Sequence, residues 1–373
     1  MIGKNPDEEK DIRAVNGLDT SALYTPYASA SYTLCPHWIH ITVASLASPD
    51  HSFSLFDGIS ADNHMDDNLF SIQLHDATME EWLIDEDDEY LSDKEEIGRG
   101  GVLTDAHMTF FDGKYTLIVS VVFGMEASRW FPALLTVVDR VNTEAYERHF
   151  DKLFKVFEKS SLSLEESLQR AVFVLDYSQA QLAGLRHSFT KFYVSHQENR
   201  DVDRKKLETD AAELFTTRVK GCKRHYDISV SQICKGDKIP REDREEFRRI
   251  ANHLMKVKTM EEAIAIREEL MQRWPACRTW LEWWTAPRVF MIASEAANGM
   301  DEATRRSCPD DSNAVEGQHK LLIEGAGGKK HSLFKGIEHL TDTITNLKQI
   351  YSDTRKFSSP FSRRFLVSLI HYL

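Results

Sequence analysis

Three acidic residues stand in settings that could do chemistry: Asp105 in GVLTDAHMTF, Asp176 in AVFVLDYSQA and Glu316 in SNAVEGQHKLL. The first interrupts and the second closes an apolar, strand-like run, whereas the third opens a helix-like run. Two strand aspartates and a helix glutamate could converge on two divalent ions. Such a pair of ions stabilises both the attacking and the leaving oxygen of an in-line displacement at phosphorus. Magnesium takes hard oxygen ligands and keeps several waters, so three carboxylates with open positions suffice. Taken singly, each residue has an ordinary reading: a surface or capping aspartate at 105, a helix N-cap at 176, and a first-turn glutamate at 316 favoured by the helix dipole. Two aspartates brought close would repel one another unless a cation were bound, which is the physical reason to expect metal.

The surrounding pattern says which elements must carry these side chains. Residues 102–111, 115–123 and 133–138 are apolar, β-branched runs separated by turn signals, with Asp112-Gly113 as a hairpin turn between the first two. Residues 143–160 place Tyr146, Phe150, Leu153, Phe154 and Phe157 at helical spacing, with Asn142 or Thr143 as the cap. The run 171–175 is wholly apolar, as expected of a strand buried on both faces, and it ends at Asp176. Ser178 then caps a helix through Tyr193, and a fifth strand is expected near 216–221. Three hairpin-like strands, a helix, a buried strand and another helix resemble a ribonuclease H-like core: an α/β fold with a mixed sheet flanked by helices. In such a sheet the first and fourth strands are neighbours, and Asp105 meets Asp176.

The pattern divides the chain into an acidic, poorly defined region 1–100, the first part of the core at 101–221, an all-helical insertion at 222–308, and a returning helix with C-terminal helices at 309–373. The insertion rests on the helical periodicity of 242–257 and 260–274. Trp274, Trp280, Trp283 and Trp284 crowd one stretch of it, as core or as a stacking surface for a base. Residues 333–351 read as a helix and 361–373 as a short amphipathic end.

Composition is that of an ordinary globular protein, 42% hydrophobic and 28% charged. No run is long and apolar enough for a membrane span, and the first residues are too polar for a signal peptide. Five scattered cysteines fit a reducing compartment better than a disulfide framework. The net charge of −13 is unevenly spread: 21 acidic and 5 basic residues fall in the first hundred, 38 and 41 in the rest. Much of the acidity lies in the run 80–96. Basic clusters at 204–206, 218–224, 329–331 and 355–364 permit phosphate contacts.

Four segments carry a resemblance to the Mutator-like (MULE) DDE transposases over roughly residues 101–345. LTDAHMTFFDGKYTLIVSVV with RWFPALLTVV resembles the family's first strands, and AVFVLDYSQAQLAGLRHSF its second-aspartate segment. GCKRHY is similar to its Cys-x2-His element, and SNAVEGQHKLL to its Asn-Asn-x-x-Glu stretch. The resemblance implies a nuclear DNA strand transferase and nuclease that binds transposon ends and target DNA as a homo-oligomer. It implies that Asp105, Asp176 and Glu316 hold two Mg²⁺ or Mn²⁺ ions, with Cys222, His225 and His319 beside them. Candidate DNA contacts are Lys205, Lys206, Arg218, Lys220, Lys223, Arg224, Lys329 and Lys330. Structural zinc is not expected at Cys222 and His225, because it needs four ligands and no second clean pair follows. The chain departs from the family in having no DNA-reading module before the core and no zinc module at the end. The alternative is therefore a domesticated DNA-binding or scaffold protein that keeps the fold without catalysis. A carboxylate hydrolase would also use two aspartates and a glutamate, but it leaves the Cys-x2-His element unexplained.

Overall fold

The computed structural model describes residues 30–34, 39–43, 51–55, 59–66, 69–84, 98–125, 127–197, 202–328 and 330–358, with side chains between 71 and 356. Two compact units divide the chain at residue 51. In the first, β1 (Ala30–Leu34) and β2 (Ile39–Val43) form an antiparallel pair. The second is an α/β unit built on a mixed, open sheet flanked by helices. Its strands are β3 (His51–Leu55), β4 (Ile59–Asp66), β5 (Leu69–His75), β6 (Val102–His107), β7 (Thr116–Gly124), β8 (Arg129–Val138), β9 (Phe173–Leu175) and β10 (Val219–Gly221). Their order across the sheet is β10-β9-β6-β7-β8-β5-β4-β3.

The strands β6, β7 and β8 form an antiparallel meander, while β9 joins β6, and β10 joins β9, in parallel. Parallel neighbours need crossovers, and helices supply them. Between β8 and β9 lie α2 (Thr143–Lys159) and α3 (Leu164–Arg170); between β9 and β10 lie α4 (Gln179–Gln197) and α5 (Arg204–Thr216). Asn142 caps α2, its side-chain oxygen accepting from Ala145 N at 2.9 Å, and Ser163 and Glu166 form a reciprocal capping box on α3. The stripe Tyr146, Phe150, Leu153, Phe154 and Phe157 is buried. Helices α2 and α4 cross so closely that a Cβ on Gly184 would lie 2.7 Å from Tyr146 Cβ; only glycine fits there. Strand β8 begins at Arg129 rather than near 133, because Pro132, lacking an N–H, is accommodated opposite Val121 beside an irregularity in the ladder.

The expected boundary at residue 100 is corrected by the sheet. Strands β5 and β4 continue it beyond β8, with β5 antiparallel to both neighbours. Helix α1 (Ala77–Ile84) then buries Trp82, stacked on Phe131 with ring centroids 4.6 Å apart. The alternation of Phe70, Ile72 and Leu74 with Ser71, Gln73 and His75 stands in the sequence, and the polar side of β5 is buried. Gln73 is satisfied by donating from Nε2 to Arg148 O at 2.7 Å.

From Lys223 to Ser307 the described secondary structure is helical: α6 (Lys223–Lys235), α7 (Arg244–Leu254), α8 (Met260–Arg273), α9 (Arg278–Trp284), α10 (Pro287–Ala293) and α11 (Glu302–Ser307), with short 3-10 turns. These helices enclose their own core around Tyr226, Phe247, Leu270, Trp274 and Trp284. Trp274 and Trp284 are therefore packing residues, while Trp283 is 40% exposed. Helix α12 (Asn313–Gly325) returns across β6, β7 and β8, and α13 (Leu333–Ser358) packs on α12. The expected end at 361–373 lies outside the described residues. No described helix is long and apolar enough to cross a membrane.

Candidate active site

Three parallel strands lie side by side, and each leads one residue to the same level. Thr104 pairs with Leu175, and Gly221 pairs with Leu175 from the other side. One step further along, Asp105, Asp176 and Cys222 stand in a row, with Cys222 N donating to Leu175 O at 2.8 Å. Successive side chains of a strand point to opposite faces. Thr104 accordingly meets Ser120 at 2.6 Å and, through it, the buried His149 of α2, whose ring also touches Thr136 Oγ1 at 2.6 Å. Asp105 faces the other way, towards α12, where His319 Nδ1 lies 3.7 Å from its Oδ2.

Asp105 and Asp176 share one poorly solvated pocket. Burial, and then the charge of Asp176, raise the Asp105 carboxyl to about 7, although Ala106 N donates to its Oδ1 at 2.7 Å. Burial also raises the neighbouring Tyr146 hydroxyl, and both aspartates push it further in the same direction. His225, one turn into α6, sets Nδ1 3.0 Å from Asp176 Oδ1. Asp176, followed by Cys222, raises this histidine to about 10. Burial pushes the Cys222 thiol up, but His225 and Ser312 more than offset it and leave it below its ordinary value. His319 is driven down to about 3 by burial, helped by His107, whose ring stands edge-on to it at 4.9 Å.

Asp105, Asp176, Cys222, His225 and His319 are thus brought together. Glu316 lies one turn before His319 on α12; its Oε1 is 3.8 Å from Nε of Arg224, the residue beside His225. The two half-buried carboxylates stand at one level and repel each other, and one ligand atom from each of Asp176, Cys222 and His225 lies within 4.8 Å of the other two. Of the candidate DNA contacts, Lys223 and Arg224 are exposed at the start of α6, beside the site; Lys205, Lys206 and Lys330 are exposed elsewhere, and Arg218 is half-buried. Lys220 needs correction. It is 3% exposed, and its Nζ donates to Arg305 O and Cys308 O at 2.9 Å each and to Asp310 Oδ1 at 3.3 Å, so it is a structural tie. Lys329 lies outside the described residues.

Sequence reading missed His107, Tyr146 and Ser312. His107 sits two residues after Asp105 on the same strand face, a spacing that could have flagged it. Nothing in the local pattern marks Tyr146, which reads as one more member of the apolar stripe, or Ser312, which reaches Cys222 only through the fold. Compared with known protein families and with curated proteins, the chain matches none.

Proposed function

We propose that this protein is a metal-dependent DNA-processing enzyme of the DDE transposase type, cutting and joining phosphodiesters at a centre formed by Asp105, Asp176 and Glu316. The observation that carries this reading is the level pairing of Asp105 and Asp176 on adjacent parallel strands, with the Glu316-bearing helix laid across the same sheet. The strand order β10-β9-β6-β7-β8, with β6 antiparallel to β7 and parallel to β9, supports a ribonuclease H-like core. Asp105 and Asp176 would hold magnesium or manganese, joined by Glu316 after it leaves Arg224. Bound there, the metal would stabilise the attacking and leaving oxygens of an in-line displacement. Lys223 and Arg224, exposed at the rim, supply positive charge for the DNA backbone. His319, buried and held neutral beside Asp105, carries no charge to the phosphate.

A second reading, a DNA-binding scaffold without catalysis, draws on the Arg224–Glu316 ion pair, which occupies the glutamate from within the chain. One experiment separates the two. Purified protein is assayed for DNA binding across a salt series and for nicking of supercoiled plasmid with Mg²⁺ or Mn²⁺. Catalysis predicts nicking that Asp176→Asn abolishes while binding persists or tightens, because the substitution keeps size and removes the charge that holds metal. Salt-sensitive binding without cleavage under either ion favours the scaffold. Nicking that persists in Asp176→Asn overturns the metal mechanism.

A further inference from the structure

The Cys-x2-His element supplies two soft or borderline donors three residues apart, and the tertiary structure adds a third group that the sequence does not show. Cys222 occupies the N-cap position of α6 without a side-chain capping bond, and His225 follows within the first turn. Because β10 runs parallel to β9, Cys222 stands level with Asp176. One ligand atom from each of Asp176, Cys222 and His225 lies within 4.8 Å of the other two. In a tetrahedral site with zinc-like bond lengths, such donors lie about 3.3–3.6 Å apart. The 3.0 Å between His225 Nδ1 and Asp176 Oδ1 and the 4.8 Å upper limit bracket that separation, so small side-chain movements would complete the geometry.

Two further observations point to a ligand. His225 Nδ1 and Asp176 Oδ1 are both sealed from solvent and form an ion pair at 3.0 Å, so a cation entering between them would take the place of the proton they share. Metal binding at such a pair releases the imidazolium proton, because the ligand must be deprotonated. Cys222 Sγ, meanwhile, accepts from Ser312 N at 3.3 Å and lies 3.3 Å from the Ser312 hydroxyl. Outer donors of this kind orient a thiolate ligand and tune it.

We propose that Asp176, Cys222 and His225 form a three-ligand site for a borderline transition ion of the zinc type, with one coordination position left open. Sulfur and imidazole donors select zinc or cobalt over magnesium, and three protein ligands with a free fourth position are the arrangement of reactive rather than purely structural zinc sites. The site differs in chemistry from the carboxylate centre and meets it at Asp176. It does not depend on the transposase reading, because it can be measured without DNA or magnesium.

The test is titration of the full chain with Co²⁺, followed optically and by equilibrium dialysis. The expected result is one cobalt per chain with a thiolate-to-cobalt charge-transfer band and the visible bands of tetrahedral cobalt, both displaced by Zn²⁺. Cys222→Ser should abolish the charge-transfer band and weaken binding at least about tenfold, the loss typical of a disrupted metal site. His225→Gln should weaken binding similarly while keeping some thiolate absorption. Cys234→Ser should leave the spectrum unchanged, and circular dichroism confirms that each variant is folded. Absence of a thiolate band in the wild type, or a band that survives Cys222→Ser at full intensity, overturns the site and leaves a metal-free polar cluster.

Discussion

Asp105 and Asp176 stand level on neighbouring parallel strands, one step past the Thr104–Leu175 pair. That register puts two carboxylates into one poorly solvated pocket, and the cost falls on Asp105, raised to about 7 by burial and by its neighbour. A carboxyl whose folded pKa is raised weakens the fold where it is ionised: the penalty is absent near pH 4 and fully present above pH 7.

Asp105→Asn should therefore stabilise the metal-free protein at pH 8, by about 1–3 kcal/mol. The measurement is the urea midpoint in EDTA at unchanged m-value. Magnesium should raise the wild-type Tm and leave the variant's in place. A variant less stable than wild type in EDTA would mean that the two carboxylates do not oppose each other.

His149 makes acid destabilising by a separate route. Burial drives its pKa down to about 3, so it is neutral between Ser120 and Thr136. Its contribution is complete above the free value near 6.5 and is lost as pH falls from there towards 3. Relative to His149→Asn, the wild type should lose about 2–3 kcal/mol between pH 7 and 4.5. Taking the difference between the two proteins cancels the opposite trend at Asp105. Parallel pH–stability curves would count against a neutral buried imidazole.

Trp82 tests whether the segment before residue 100 belongs to the fold. The indole is 4% exposed, stacked on Phe131 and edge-on to Tyr351 at 5.6 Å. Trp82→Ala should cost about 3–5 kcal/mol. A loss under about 1 kcal/mol, the level of an ordinary surface change, would mean that α1 is not docked.

Gly221 leaves room for the residue after Asp176. A Cβ there would stand 2.5 Å from Tyr177 Cε1. Gly221→Ala should destabilise by about 1–3 kcal/mol through overpacking. Because Tyr177 packs edge-on to Trp283 and Trp284, tryptophan emission should shift as well. In a double-mutant cycle with Tyr177→Ala the two costs should not add. Strict additivity would show that the tyrosine moves away freely.

Local pattern carried a good deal of this. The apolar runs at β7 and β9 and the aromatic stripe of α2 are legible because periodicity records which face of its own element a side chain occupies. So are the helical segments between Lys223 and Ser307. Candidate acids could be chosen because two of them meet or end such runs. What the sequence could not carry is position between elements. The common level of Asp105, Asp176 and Cys222 depends on three strands far apart in the chain becoming neighbours; the side-chain pattern restricts each strand's register but does not name its partners. The same reason hid Ser312 behind the Cys222 thiol. Strand β5 alternates Phe70, Ile72 and Leu74 with Ser71, Gln73 and His75, so its strand character was open to reading; what the sequence did not show is that the polar side is buried, with Gln73 donating to Arg148 O. Lys220 read as a surface charge because nothing in its neighbourhood announces the carbonyls of Arg305 and Cys308, which reach it only once α11 has folded back onto β10.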